Sequence, residues 1–288
     1  MNFDVAQQHL LGDGSDAMIA FMASQSVIIK KLGDTSAAKA KAVEFGWLDP
    51  TTGKPSVLGV MVSDSCREYM FWQQRGRALP FENALPQLGR ATFEGKYIAE
   101  IGAGMGANLM SLTTTDARLC GVEPVDTYVR LGDIFRIREG MQPIEMRAGG
   151  AEALPFAANE LDLVLLVSAH QYFEVHVALE EIARVIKPGG ELILIGGTLP
   201  DYIKEIGSKV IVGKSSPKAF LMTVANTLGY MALGRRVIPS RGGFSTSRPI
   251  YPTRAAMTRW MRAVGFEQVV SPDRIGFETC FYAKLSDD

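Results

Sequence analysis

The residues of this chain best suited to chemistry are two carboxylates set around three glycines. Glu100 stands two positions before Gly102, the glycines Gly102, Gly104 and Gly106 alternate, and Glu123 follows 21 residues after Gly102. Glycine at such a turn lets the backbone take positive φ and approach a ligand with no side chain in between. A carboxylate at position 100 repels a pyrophosphate and attracts a cation. One at position 123 has enough lone pairs to accept both hydroxyls of a ribose. A second group lies in Ser168-Ala169-His170-Gln171-Tyr172-Phe173. His170 is a candidate general base for neutral pH, with packing under the next helix as the alternative. Tyr172 offers a hydroxyl to orient a substrate or a ring to wall it.

These positions need elements to hold them. Tyr97–Ile101 is a short apolar run that reads as a strand, and a helix opening after Gly106 brings unpaired N–H groups and a positive dipole end to the turn. Ala117–Glu123 repeats the strand pattern. Tyr128–Arg138 is expected as a helix and Ile144–Arg147 as a short strand. Leu161–Val167 is expected as a central parallel strand, apolar on both faces apart from Asp162. His170 then falls just beyond that strand's C-terminal end, where open α/β sheets bind ligands. Glu174–Ile186 is an amphipathic helix stopped by Lys187-Pro188-Gly189-Gly190, and Glu191–Ile195 is a fifth strand. Thr253 caps a helix over Arg254–Val264, Gly265 ends it, and Phe266–Val270 and Ile275–Leu285 follow as two strands. The glycine motif alone does not name the ligand. Gly102-x-Gly104-x-x-Ala107 also meets the loose dinucleotide fingerprint, with Glu123 near the offset of its ribose-binding acid.

The ensemble Glu100-x-Gly102-x-Gly104-x-Gly106 resembles the signature of class I S-adenosylmethionine (SAM)-dependent methyltransferases, where the acid suits a cationic methionyl ammonium. Ala151-Glu152-Ala153-Leu154-Pro155-Phe156, followed by Glu160–Val167, resembles the small-molecule, quinone-biosynthesis-like group of that family. The Pro-Gly-Gly turn with its flanking helix and strand, and the final hairpin, extend the likeness over residues 95–197 and 253–285. The resemblance implies an α/β fold with a seven-stranded Rossmann-like sheet whose last strand is antiparallel. It implies SAM as cofactor, S-adenosylhomocysteine as product, and methyl transfer to an O, N or C atom of a small molecule. It assigns cofactor contacts to Glu100, Gly102, Ala103, Gly104, Gly106 and Asn108, to Glu123 and Pro124, and to Gly150, Ala151, Glu152 and Ser168. Gly150 stands where the family usually has an Asp, which leaves the adenine amine to the Ala151 backbone or to Glu152. An NAD(P)-dependent oxidoreductase and a nucleotide-binding winged-helix regulator stay open as alternatives.

Composition narrows the class. A chain of 288 residues with 47% hydrophobic and 21% charged content can bury a core without staples. A net charge of −1 gives no global field favouring nucleic acid. Cys66, Cys120 and Cys280 lie far apart, which excludes a CxxC zinc site and a disulfide scaffold, and suggests a reduced, cytoplasmic setting. No acid cluster suggests a metal site. No charged-then-apolar leader opens the sequence, and no apolar window is long enough to span a bilayer.

Two stretches lie outside the resemblance. Residues 1–94 are expected as a helical cap or dimerisation region, with a winged-helix-like unit as one form of it, before a 95–288 domain. Its helices are Ala17–Leu32, Ser36–Phe45 and Asp64–Arg75, the last capped by Asp64 and carrying Tyr69, Phe71 and Trp72. The third of these has Arg67 and Arg75 against Asp64 and Glu68, too little basic charge to read DNA. Residues 198–252 are an insertion expected to form a lid. From Thr198 to Arg254 there are nine basic residues against two acids, a balance of +7, and Ala219–Leu233 is largely apolar. This predicts an apolar substrate with an acidic or electron-rich head, or peripheral membrane contact through 217–238. A homodimer is a further expectation.

Overall fold

The computed structural model describes residues 3–26, 33–82, 90–213, 215–238, 249–270 and 278–286. Seven strands form one sheet: β1 (Tyr97–Ile101), β2 (Arg118–Val122), β3 (Glu145–Arg147), β4 (Leu161–Val167), β5 (Ile186–Gly196), β6 (Phe266–Val270) and β7 (Thr279–Leu285). Their order is β3-β2-β1-β4-β5-β7-β6. β1 pairs in parallel with β2 and β4, and β4 in parallel with β5. β7 runs antiparallel to both β5 and β6, as the resemblance implies and as a dinucleotide-binding domain normally does not show. Asp162 is the one charge in β4, and it has partners. Its carboxylate accepts the Tyr97 N–H at 2.8 Å and pairs with Lys187 at 2.7 Å.

The chain packs as two compact units. The first comprises Met1–Leu79, Ala103–Thr114 and Glu123–Ala148. Its helices are α1 (Phe3–Leu11), α2 (Ser15–Ala23), α3 (Ser36–Glu44), α4 (Val57–Gln74), α5 (Ala107–Leu112) and α6 (Asp126–Arg138). The aromatic cluster of α4 is core: Tyr69 stacks on Phe135 with ring centroids 4.4 Å apart, and the Trp72 indole N–H donates to Ser111 Oγ at 3.1 Å. Phe71 instead points to solvent. Two expectations are corrected here. α4 starts seven residues before Asp64, capped by Ser56, whose hydroxyl accepts the Gly59 N–H. Asp64 sits mid-helix, paired with Arg67 and accepting from Tyr128. The expected Ala17–Leu32 helix ends at Ala23, and its basic end at 27–32 lies outside the described residues. Within residues 33–82 the strand-like pairing is confined to one bridge, Leu48 to Pro55, among the described residues.

The second unit comprises Pro80–Gly102, Thr115–Val122 and Gly149–Asp288. Its helices are α7 (Val175–Val185), α8 (Leu199–Ile211), α9 (Pro217–Leu233) and α10 (Arg254–Ala263). α7 buries Val175, Ala178, Leu179, Ile182 and Val185, the stripe that a 3.6-residue period produces. α10 opens at Thr253, whose side chain accepts the Ala256 N–H, as read from the sequence. The expected turn at Lys187–Gly190 lies within β5, which begins at Ile186 and shifts register against β4 between Leu161 and Leu163. α8 and α9 fill most of the insertion, while residues 214 and 239–248 of the expected lid lie outside the described residues. Among the described residues no helix is long and apolar enough to cross a membrane.

Candidate active site

In the first unit the glycine turn and the acid of the second strand come together. Glu123 is nearly buried, and each carboxylate oxygen takes one backbone N–H: Oε2 from Gly104 at 2.9 Å, Oε1 from Val125 at 3.0 Å. Each oxygen therefore keeps a lone pair. Burial raises the Glu123 pKa, against the lowering effect of the Val125 and Gly104 hydrogen bonds. Gly104 has φ +55 and open space where a Cβ would stand. Gly106, at φ +80, is the N-cap of α5, and Asn108 is buried in that helix's first turn.

Sequence reasoning missed Arg136, which supports this turn from beneath. Its buried guanidinium donates to the Met105 carbonyl at 2.9 Å and pairs with Asp133. A Cβ on Gly132 would sit 2.2 Å from that same carbonyl oxygen, so α6 needs a glycine where the turn crosses it. The signal was present as a glycine four residues before an arginine in mid-helix.

In the second unit Glu100 is buried at the end of β1, and Gly102, at φ +70, lies against the residues after β4. A Cβ there would come 2.7 Å from Ala169 Cβ and 3.3 Å from the Phe173 ring. Ala151 is buried, and the Glu152 carboxylate accepts the Glu174 N–H at 2.9 Å and would meet a Cβ on Gly150 at 3.2 Å. Ser168 takes the left-handed conformation (φ 52), donates its N–H to Ile195 and its hydroxyl to Glu278 at 2.5 Å. His170 is 3% exposed and packs against Gly196, where a Cβ would fall 2.2 Å from Nδ1. Burial pulls its pKa down to about 4, against a raising hydrogen bond with the Gly197 backbone. Tyr172 is partly exposed.

Around this strand end stand residues that the sequence did not single out. The Tyr251 ring faces Gly197, whose Cβ would lie 3.2 Å from it, and stacks on Tyr202 with centroids 4.6 Å apart. Tyr202 stacks in turn on Phe220 at 5.6 Å. Burial pushes the Tyr251 hydroxyl up, and the charges of Tyr172, Tyr202 and Glu278 push it further. Arg236, one of the insertion's cations, is committed to the Glu174 carboxylate and to the Gln171 and Phe173 carbonyls.

Residues 99–194 match the family described as "Methyltransferase domain". Among curated relatives, the uncharacterized methyltransferase YcgJ of Bacillus subtilis is 28% identical over 105 residues, 36% of this chain and 42% of that protein. The fatty-acid O-methyltransferase of Mycolicibacterium smegmatis is 35% identical over 104 residues, 35% of this chain and 37% of that one. The match thus spans about two fifths of these relatives' length. Human N-acetylserotonin methyltransferase, solved in complex with SAM, is similar in fold at a TM-score of 0.50 and 16% identity, over 87% of this chain and 66% of that one. Residues 99–194 thus match a methyltransferase domain, and the fold is similar to that of a SAM-dependent methyltransferase.

Proposed function

We propose that the protein transfers a methyl group from SAM to an apolar small molecule that presents a hydroxyl or amine. The observation that carries the cofactor half is Glu123, a nearly buried carboxylate held by two backbone N–H groups beside the open space at Gly104. The donor set fits: Glu123 has lone pairs for two ribose hydroxyls, and the buried charge of Glu100 offsets an ammonium while opposing a pyrophosphate. When bound, SAM supplies a methyl group already activated on a sulfonium. The protein's task is therefore alignment and exclusion of water.

On the acceptor side the reading rests on Glu278 and the tyrosines. Glu278, tied to Ser168, is a carboxylate able to take a hydrogen bond or a proton at its Oε atoms. The rings of Tyr202 and Tyr251 offer flat apolar surface to an aromatic acceptor. An acidic head group gains less support, since Arg236 is already paired within the chain. His170, buried and held far below its ordinary pKa, enters as a packing group rather than as the base. Isothermal titration tests the cofactor half. SAM should bind and NAD should not, and binding of NAD without SAM would defeat the assignment.

A further inference from the structure

α9 is built inside out. Its buried face is Thr223, Asn226, Thr227 and Tyr230. Its exposed face is Leu221, Ala225, Leu228 and Ala232, spaced as one helical stripe, with Leu221 64% and Leu228 51% exposed and Leu233 beside them. Hydrogen bonds lock this orientation. Asn226 donates to the Ile238 carbonyl at 3.0 Å and accepts the Ile238 N–H at 2.6 Å. Thr227 Oγ1 accepts the Tyr251 N–H at 3.0 Å, and Tyr230 accepts the His176 N–H at 3.3 Å. Turning the leucines inward would strand these groups, at a cost that burying two leucines does not offset.

Something must cover the stripe, and charge says what. From Ile206 to Phe266 the sequence has no acid and ten basic residues. Lys218 and Arg235, both exposed, bracket the stripe at its two ends, and neither has a carboxylate partner among the described residues. They are 17 residues apart, about 25 Å along a helix axis. The neighbouring α8 adds Ile203, Ile211 and Val212 as exposed apolar side chains, Ile211 at 86%. On α10, packed with α9 on His176 through Trp260 and Tyr230, Arg254, Arg259 and Arg262 are exposed. An apolar stripe with cationic ends and no acid is the pattern of a helix lying in the interface of a negatively charged bilayer.

We propose that α9 docks the protein on anionic lipid, its leucine stripe entering the acyl boundary and its flanking cations pairing with headgroup phosphates. Apolar acceptors concentrate in that layer.

The test is co-sedimentation of the whole chain with phosphatidylcholine vesicles, with and without about one third phosphatidylglycerol. The protein should pellet with the anionic vesicles, stay in solution with the neutral ones, and release at high salt. Leu221→Glu with Leu228→Glu alters only exposed positions. It should keep the melting temperature and lose anionic-vesicle binding on the order of a hundredfold. The Lys218→Glu, Arg235→Glu variant should lose binding as well. Failure of the unaltered protein to pellet, or equal pelleting by the leucine variant, overturns the proposal. So does a homodimer, seen by light scattering, that the leucine variant dissociates and that ignores vesicles: the face then belongs to a second copy.

Discussion

The residues assigned to the cofactor and those assigned to the acceptor are held in different ways. Glu123 is gripped by main-chain groups, the N–H of Gly104 and of Val125, within 19 residues of itself. On the acceptor side, Glu278 meets Ser168 across 110 residues, and the Tyr202 ring meets Tyr251 across 49, side chain to side chain. Main-chain grips survive wide sequence change, whereas each side-chain pair depends on two particular residues. Under the proposed function, the cofactor half would serve a chemistry common to a family, and the acceptor half would be where this chain is individual.

The sharpest way to break that contrast is Glu278→Gln. Turnover should fall by about a hundredfold or more with SAM affinity unchanged, measured by steady-state kinetics and titration on one preparation. If SAM affinity falls as well, the two halves are not separable.

His170 tests whether the residues after β4 serve folding more than catalysis. Its folded pKa of about 4 lies below the ordinary value of 6.5, so its contribution to stability is complete above pH 6.5 and is lost as the pH falls toward 4. The loss is on the order of 3 kcal/mol, and His170→Gln should flatten that limb in urea unfolding followed against pH. A turnover loss of a hundredfold in the same variant at pH 7, with the fold intact, would return His170 to the role of base.

Glu100→Ala and Glu123→Ala should each weaken SAM by ten- to a hundredfold, the loss expected of a charge-assisted hydrogen bond of roughly 1.5–3 kcal/mol. Because burial raises Glu123, affinity should also fall on acidification before the ordinary carboxylate range is reached. Near-wild-type titrations for both variants would remove the cofactor assignment. The smallest effect expected is at Gly132. Alanine in a helix interior ordinarily gains about 1 kcal/mol over glycine. Here it should lower the melting temperature and weaken SAM about tenfold, because its Cβ meets the Met105 carbonyl. A stabilised variant with unchanged affinity would show that the turn yields easily.

The same contrast decides what was legible in the sequence. β4 is read at its observed ends and the Thr253 cap at its residue, because apolar runs and caps are local signals. The meeting of Gly104 with Glu123 is legible because a turn between strand and helix writes its needs into a short spacing. Glu278, Tyr202 and Tyr251 left no such trace, since nothing near Glu278 in the chain marks it as the partner of Ser168. α9 misled in another way. Its apolar run was visible as a greasy helix, but its orientation depends on Asn226 and Thr227, whose partners lie 12 and 24 residues downstream. Asp64 misled because an acid before an apolar stretch looks like a cap, and only the residues upstream reveal that the helix has already begun.

The sheet order has a consequence for how the chain is made. β7 fills the slot between β5 and β6, yet it leaves the ribosome after both. Until Thr279–Leu285 emerge, the β5 edge from Glu191 to Gly196 is open and β6 has no neighbour to pair with. An open apolar edge is a template for misassembly with other chains. Nascent molecules stalled before residue 279 should therefore be the aggregation-prone and protease-sensitive species. Glu278 arrives with that same strand, so the carboxylate proposed for the acceptor side meets Ser168 only after β7 has been made.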